Sequence, residues 1–296
     1  MKDNIITMIP RKHHKKNGLK NIRSLLCIIL SFILSIVFVG LVVLCVIQWS
    51  CFNKNTFYRN LLSSKYYENI QSDIYAKAEA ITLPTGLSLE VLDNTIELYK
   101  IHQDVNGYME AGFRGEAYEA NTMLMESKLE QNIDQYLRLE EITPDKDQRE
   151  NAAYYVESIS DEYRKAIKIP LLNFLISERD LYNKIYPIGI ATCIVVIIFI
   201  VSMLIKMNKL VHRTLRYVTY STTAATFMIA IAPALALYSE FYKRIQLYPL
   251  YYYNFAMIFI TNIFNTLIHF SIWLAVVSIV LMITIKSMKI KLINKA

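Results

Sequence analysis

Cysteine is scarce in this sequence, and the positions of the few cysteines exclude a disulfide-stabilised domain. The chain of 296 residues contains four cysteines. They lie inside or at the edge of long apolar runs, at Cys27, Cys45, Cys51 and Cys193. A disulfide framework needs cysteines paired within a folded polar domain, so none is predicted here. Glycine is also scarce, with seven residues, in a composition rich in lysine, isoleucine, asparagine and tyrosine. Such a composition is typical of bacteria with AT-rich genomes.

Known catalytic and metal-binding motifs are also absent from the sequence. It has no G-x-S-x-G, no H-E-x-x-H, no Walker loop and no paired metal-ligand spacing. The acid pairs Glu140–Glu141 and Asp161–Glu162 fall on the polar faces of predicted helices, which favours a solvated surface over a catalytic dyad. His102 lies next to an apolar stripe and is interpreted as a boundary residue. We therefore predict a non-enzymatic protein with no catalytic residues, no cofactor and no bound metal.

Charge is missing from four long apolar runs, and this absence predicts membrane spans. The runs contain no Asp, Glu, Lys or Arg, and they cover residues 25–48, 187–205, 218–238 and 257–285. Crossing a bilayer takes roughly 20 apolar residues in a helix. The whole chain is 54% hydrophobic, with a mean hydropathy of +0.28. The expected fold is an all-α integral membrane protein with four transmembrane helices.

A basic arm, residues 1–24, precedes the first run and carries seven Lys or Arg residues against one acid. The apolar run behind it is longer than the roughly 7–15 residues of a signal-peptide core, and no small-residue cleavage site follows it. We therefore interpret residues 25–48 as an uncleaved anchor. Next to such an anchor, a basic arm sets orientation and contacts anionic lipid; nucleic-acid binding is the less favoured alternative.

The distribution of charge gives one consistent topology. Residues 206–217 and 286–296 each carry four basic residues and no acid, whereas residues 50–184 have a net charge of −8. Because positive loops stay in the cytoplasm, we predict cytoplasmic termini in a plasma-membrane protein. Residues 49–186 form an extracytoplasmic domain between the first two spans, and residues 239–256 form a short outer loop.

The predicted extracytoplasmic domain has helical periodicity throughout. Apolar residues recur every three to four positions in stretches of about 56–81, 89–112, 121–141 and 144–168. For the last stretch, Thr143 is predicted as the helix cap and Pro144 as the first helical residue. Such stripes need partners for their apolar faces, so a helical bundle is expected. The stretch YPLYYYNF, residues 248–255, is interpreted as an aromatic belt at the membrane interface rather than a ligand platform.

Two groups of residues are candidate sites. In the fourth run, polar side chains share one helix face at Asn262, Asn265, Thr266 and His269. They are expected either to hydrogen-bond between helices or to form a gate or proton-linked site. In the first alternative they act together with the hydroxyls of the third run, at Ser221, Thr222, Thr223 and Thr226. The absence of an intramembrane carboxylate favours the first alternative. The second group is Phe113 and Arg114, predicted to lie in a loop that either contacts a partner or only ends a helix.

The cytoplasmic segments are too short to hold a kinase, an ATPase or a DNA-binding domain. One hypothesis is a surface protein whose extracytoplasmic domain binds a partner or senses an extracellular cue. The other is the membrane subunit of a transporter driven by a separate ATPase. The order of segments is similar to that of a class of such permeases, although residues 206–216 lack an acidic coupling pattern. A protein partner is expected through the domain or the spans, and a homo-oligomer is compatible with the sequence.

Overall fold

A computed structural model describes residues 13–208 and 210–293, and the side chains of residues 22–208 and 210–290. The described residues are all-helical, 86% helical with no strand. The all-α prediction is therefore confirmed. Parts of two predicted basic segments, residues 1–12 and 294–296, lie outside the described residues, as does Lys209 in the predicted basic loop.

Nine α-helices make up most of the described chain. They are α1 (His13–Ser50), α2 (Lys54–Ser63), α3 (Tyr66–Thr82), α4 (Leu98–Arg114), α5 (Met123–Leu139), α6 (Lys146–Ile167), α7 (Pro170–Met207), α8 (Val211–Ser239) and α9 (Leu250–Ile293). Short 3₁₀ turns lie at Leu83–Thr85, Leu89–Leu92 and Phe241–Arg244. Four helices are long and apolar enough to cross a membrane, over Ile22–Ser50, Pro170–Met207, Val211–Ser239 and Leu250–Ile290. The four predicted apolar runs therefore lie in four helices that are long and apolar enough to cross a membrane.

The chain divides into two compact units. The first, called here the apolar unit, comprises residues 13–46, 185–208, 210–238 and 264–293 of the described chain. The second, called the helical domain, comprises residues 47–184 and 239–263. The helical domain thus contains nearly all of the predicted segment 49–186 and a second segment. That second segment combines the predicted outer loop with the first residues of the predicted fourth span.

The helical domain is held together by the apolar stripes that its sequence predicted. α3 buries Ile70 and Ile74, and α5 buries Leu129 and Ile133. The predicted helix over residues 56–81 is nevertheless two helices, α2 and α3. The break falls at Lys65, whose φ of +51° is left-handed and cannot continue an α-helix. The predicted helix over 89–112 likewise begins only at Leu98, after a 3₁₀ turn.

The beginnings and ends of these helices follow local capping chemistry. α2 is capped by Asn53, whose side-chain oxygen accepts hydrogen bonds from two backbone N–H groups of the first turn. The predicted start of α6, with Thr143 as cap and Pro144 as first helical residue, is wrong: the helix begins at Lys146, after a reciprocal capping box between Asp145 and Gln148. α4 ends at Gly115, whose φ of +76° suits glycine because it has no Cβ.

The first turns of α9 belong to the core of the helical domain, and this corrects the aromatic-belt interpretation of residues 248–255. Tyr251 and Phe255 are buried. The Phe255 ring lies 5.1 Å from the Phe57 ring, and the Tyr251 ring lies 5.3 Å from the Tyr66 ring, both between centroids. Tyr248, in the same stretch, is by contrast almost fully exposed. Hydropathy could not separate these roles, because a core aromatic and an interfacial aromatic have the same side chain.

In the apolar unit, hydrogen bonds between serine and threonine side chains connect the helices. The hydroxyl groups of Ser31 in α1 and Ser221 in α8 lie 2.9 Å apart, and Ser221 also donates to the Ser31 carbonyl at 2.7 Å. Ser278 in α9 donates to the Thr222 hydroxyl at 2.8 Å. Of the four hydroxyls predicted to bond between helices, Ser221 and Thr222 do so, whereas Thr226 donates to the Thr222 carbonyl within α8 and the buried Thr223 hydroxyl forms no hydrogen bond with the described residues. Such bonds matter between membrane-crossing helices because lipid offers no competing partners.

Candidate functional site

The structure divides the polar face predicted on the fourth span. Asn262 belongs to the helical domain, where its amide donates a hydrogen bond to the side-chain oxygen of the buried Asn60. Asn265, Thr266 and His269 belong to the apolar unit. Asn265 and Thr266 are half-buried, whereas the His269 side chain is exposed. The four residues thus do not form one site within a single unit.

Phe113 and Arg114 form the last turn of α4, not a loop. Phe113 is half-buried, with its ring 6.0 Å from that of Phe57. The guanidinium of Arg179 lies 5.9 Å from the centre of the Phe113 ring and donates to the Phe113 carbonyl. Arg114 pairs with Glu116 at 2.9 Å. Their surroundings therefore match the helix-end alternative, in which the aromatic ring packs inside the domain.

A buried carboxylate that sequence reasoning missed lies at the centre of the helical domain. Asp104 is 1% exposed. One carboxylate oxygen accepts hydrogen bonds from the Tyr118 hydroxyl at 2.8 Å and from the Lys100 ammonium at 3.1 Å. The other accepts from the Tyr163 hydroxyl at 2.7 Å. Burial, together with the bond to Asp104, raises the pKa of both tyrosines.

This Asp104 network satisfies both oxygens of the buried carboxylate. A buried charge is tolerated only when it is paired and hydrogen-bonded. Both oxygens of Asp104 accept hydrogen bonds, and one of these bonds comes from the Lys100 ammonium. The cavity next to Tyr163 and Lys100 measures about 10 Å³, which is room for one water. The network ties α4 to α6 and to the loop that carries Tyr118.

A groove of about 770 Å³ in the helical domain, called here the hairpin groove, has room for a ligand. α5 and α6 pack together as a helical hairpin, and the groove lies between them near their connection. The turn after α3, with Thr85, Gly86 and Leu87, closes one side. The volume falls within the roughly 300–1,000 Å³ of typical ligand clefts.

The floor of the hairpin groove is apolar and fixed in position. It is formed by Ile133 and Leu137 of α5 and by Tyr155 and Val156 of α6. The Tyr155 hydroxyl lies 2.7 Å from the hydroxyl of Thr82, which in turn donates to the Ala78 carbonyl. Because the Tyr155 hydroxyl is thus hydrogen-bonded inside the domain, the Tyr155 ring is held in place.

Charged side chains form the lip of the hairpin groove. Glu130, Asp134 and Arg138 line it from α5, and they follow each other at spacings of four residues, along one edge of the helix. Arg149 lines it from α6. The lip could not be found from sequence, because these residues look like an ordinary solvated helix face until α6 is placed beside them.

The remaining candidates from the sequence are accounted for by their surroundings. His102 is half-buried and stacks on Tyr67, with 3.8 Å between ring centres. Glu140 and Glu141 are exposed in the turn after α5. Among residues 13–208 and 210–293, no group of three or more His, Cys, Asp or Glu side chains is arranged to hold a metal ion.

The described residues define an all-helical protein with four helices capable of crossing a membrane and a folded helical domain. Comparison with protein-family models, with curated proteins and with solved structures found no match to this chain. The function is therefore inferred from the site itself.

Proposed function

We propose that this chain is a non-enzymatic, multi-pass protein of a bacterial plasma membrane, whose helical domain lies outside the cytoplasm and binds an extracytoplasmic ligand. The three basic segments of the sequence support this orientation, because positively charged loops are retained in the cytoplasm. In this orientation the acidic residues 50–184 face the exterior, and both termini lie inside the cell.

The hairpin groove carries the proposal. It combines a volume of about 770 Å³ with a floor of apolar side chains and a lip of charged ones. Binding sites are typically concave and mostly apolar, with a few polar groups that orient the ligand. The other polar cluster of the domain, around Asp104, is closed by its own hydrogen bonds, so it supports a structural role rather than a catalytic one.

The test is to fill the hairpin groove. Ala152 lies on the α6 side of the groove, so Ala152→Trp places a large ring where the ligand would sit. Ser127→Trp is the matched control, because Ser127 is exposed on α5 and does not line the groove. Both variants are tagged, purified in mild detergent from cells cross-linked at the surface, and compared with the parent chain by mass spectrometry.

We expect an extracytoplasmic molecule to co-purify with the parent chain and with Ser127→Trp, and to be lost from Ala152→Trp. Equal recovery with all three chains would rule out the groove as the binding site. A stoichiometric ATPase recovered with all three would instead favour the transporter-subunit hypothesis.

A further inference from the structure

His269 is the one Asp, Glu, Lys, Arg or His residue in the four apolar runs of the sequence. Along the axis of α9 it lies about 25 Å from Lys286, where the apolar run ends. The hydrocarbon layer of a bilayer is about 30 Å thick. When α9 crosses the membrane, the imidazole therefore lies inside the hydrocarbon layer.

The chain itself supplies no partner for this imidazole. The His269 side chain is exposed, and it forms no hydrogen bond or ion pair with the described residues. The indole of Trp273, one turn further along α9, is 70% exposed, and its N–H has no partner among those residues either. A polar group in hydrocarbon is costly without a hydrogen bond, and intramembrane histidines almost always face the interior of a helix bundle. This face of α9 therefore calls for a cover from outside the chain.

The exposed residues that follow His269 form a line of contact suited to another helix, called here the α9 seam. At spacings of four, three, four and three residues, His269 is followed by Trp273, Val276, Val280 and Ile283, all exposed. Spacing that averages 3.5 residues keeps side chains along the contact between two helices that cross at a shallow angle. The valine and isoleucine side chains are β-branched, so they have few rotamers to lose when they pack.

Symmetry selects a second copy of this chain as the cover. Copies in one membrane have the same orientation, and a twofold axis along the membrane normal brings each residue of the seam opposite its own copy. A polar group that pairs across such an axis must be able both to donate and to accept a hydrogen bond. A neutral imidazole has one N–H donor and one N acceptor, so two copies of His269 can satisfy each other. No charged residue lies between His269 and Ile283 to repel its copy.

We propose that this chain forms a homodimer through the α9 seam, in which the two His269 side chains hydrogen-bond to each other inside the bilayer. Trp273 and the β-branched residues of the seam pack against their copies next to this bond. Hydrogen bonds between polar side chains and close van der Waals packing are the forces that associate membrane helices. The seam belongs to the apolar unit, so the proposal does not depend on the hairpin groove of the helical domain.

Photo-cross-linking tests where the two copies meet. The photoreactive amino acid benzoylphenylalanine replaces Trp273 in the seam. In the matched control it replaces Phe227, an aromatic residue of α8 that is 62% exposed. Cells that make each full chain are irradiated, and the products are separated by size and identified by mass spectrometry. We expect a cross-link between two copies from position 273 and little or none from position 227.

Substitutions of His269 test the hydrogen bond. Donor-labelled and acceptor-labelled full chains are mixed in vesicles of zwitterionic lipid, and energy transfer is followed as lipid is added. His269→Phe keeps an aromatic ring without its polar atoms, whereas His269→Asn keeps one donor group and one acceptor. We expect His269→Phe to dimerise about fivefold more weakly and His269→Asn to dimerise like the parent. Tyr220→Phe is the control, because it removes a hydroxyl from an exposed side chain of α8.

The two experiments together decide for or against the dimer. A cross-link to a second copy from position 273, with weaker energy transfer for His269→Phe alone, supports it. Equal cross-linking from both positions, or cross-linking of position 273 only to lipid or to a different protein, overturns it. Unchanged energy transfer for His269→Phe also overturns it. Equal losses for His269→Phe and His269→Asn would overturn the pairing of the two imidazoles, because a side chain that both donates and accepts would then not be enough.

Discussion

Replacement of Phe255 by alanine tests whether the first turns of α9 belong to the core of the helical domain. Phe255 is 0% exposed and its ring lies 5.1 Å from that of Phe57, 5.4 Å from that of Tyr66 and 6.0 Å from that of Phe259. Removal of a buried phenylalanine side chain costs about 3–5 kcal/mol, through lost burial and the cavity left behind. Domains are stable by only about 5–15 kcal/mol, so this loss is a large fraction of the total.

The assay is pulse proteolysis of the full chain in lipid nanodiscs, which follows the denaturant concentration at which the helical domain becomes cleavable. The matched control is Tyr248→Ala in the same stretch, because Tyr248 is 94% exposed. We expect Phe255→Ala to lower the free energy of unfolding by about 3–5 kcal/mol and Tyr248→Ala to change it by less than about 0.5 kcal/mol. Similar small effects of both substitutions would refute the core assignment and restore the aromatic-belt interpretation.

Two further predictions concern the Asp104 network. Tyr118 and Tyr163 have pKa values raised above their ordinary 10.0, so their contribution to stability is complete below pH 10 and is lost as pH rises further, because the unfolded chain releases these protons first. Pulse proteolysis at increasing pH should show this decline, and Tyr163→Phe should flatten it; an unchanged slope would exclude Tyr163 as a contributor. Gly107→Ala would place a Cβ 2.6 Å from the Tyr118 ring, so we expect about 1–3 kcal/mol of destabilisation in the same assay. Gly40→Ala, where no atom lies within 4 Å of the added Cβ, is the neutral comparison, and an equally small effect at Gly107 would contradict the close packing.

The hairpin groove and the Asp104 network could not be predicted from the sequence, because both depend on long-range contacts. The hairpin groove combines α5, α6 and the turn after α3, and no single stretch of sequence contains its floor and its lip. The residues next to Asp104 in the sequence are those of an ordinary solvated helix face. Asp104 is buried only because Tyr118 and Tyr163, which lie further along the chain, pack against it and hydrogen-bond to it. Phe113 and Arg114 were located by their flanking glycines, but the partner of the Phe113 ring, Arg179, lies 66 residues away.

The sequence by itself determined the four membrane-type helices, the all-helical class and the buried stripes of α3 to α6. These features depend on hydropathy and periodicity, which are local properties of the chain. Tertiary structure decided that Tyr251, Phe255 and Asn262 belong to the helical domain, and it formed the hairpin groove and the Asp104 network. The physical reason is that burial and hydrogen bonding depend on which distant residues meet, and an apolar or polar side chain alone does not specify its partner.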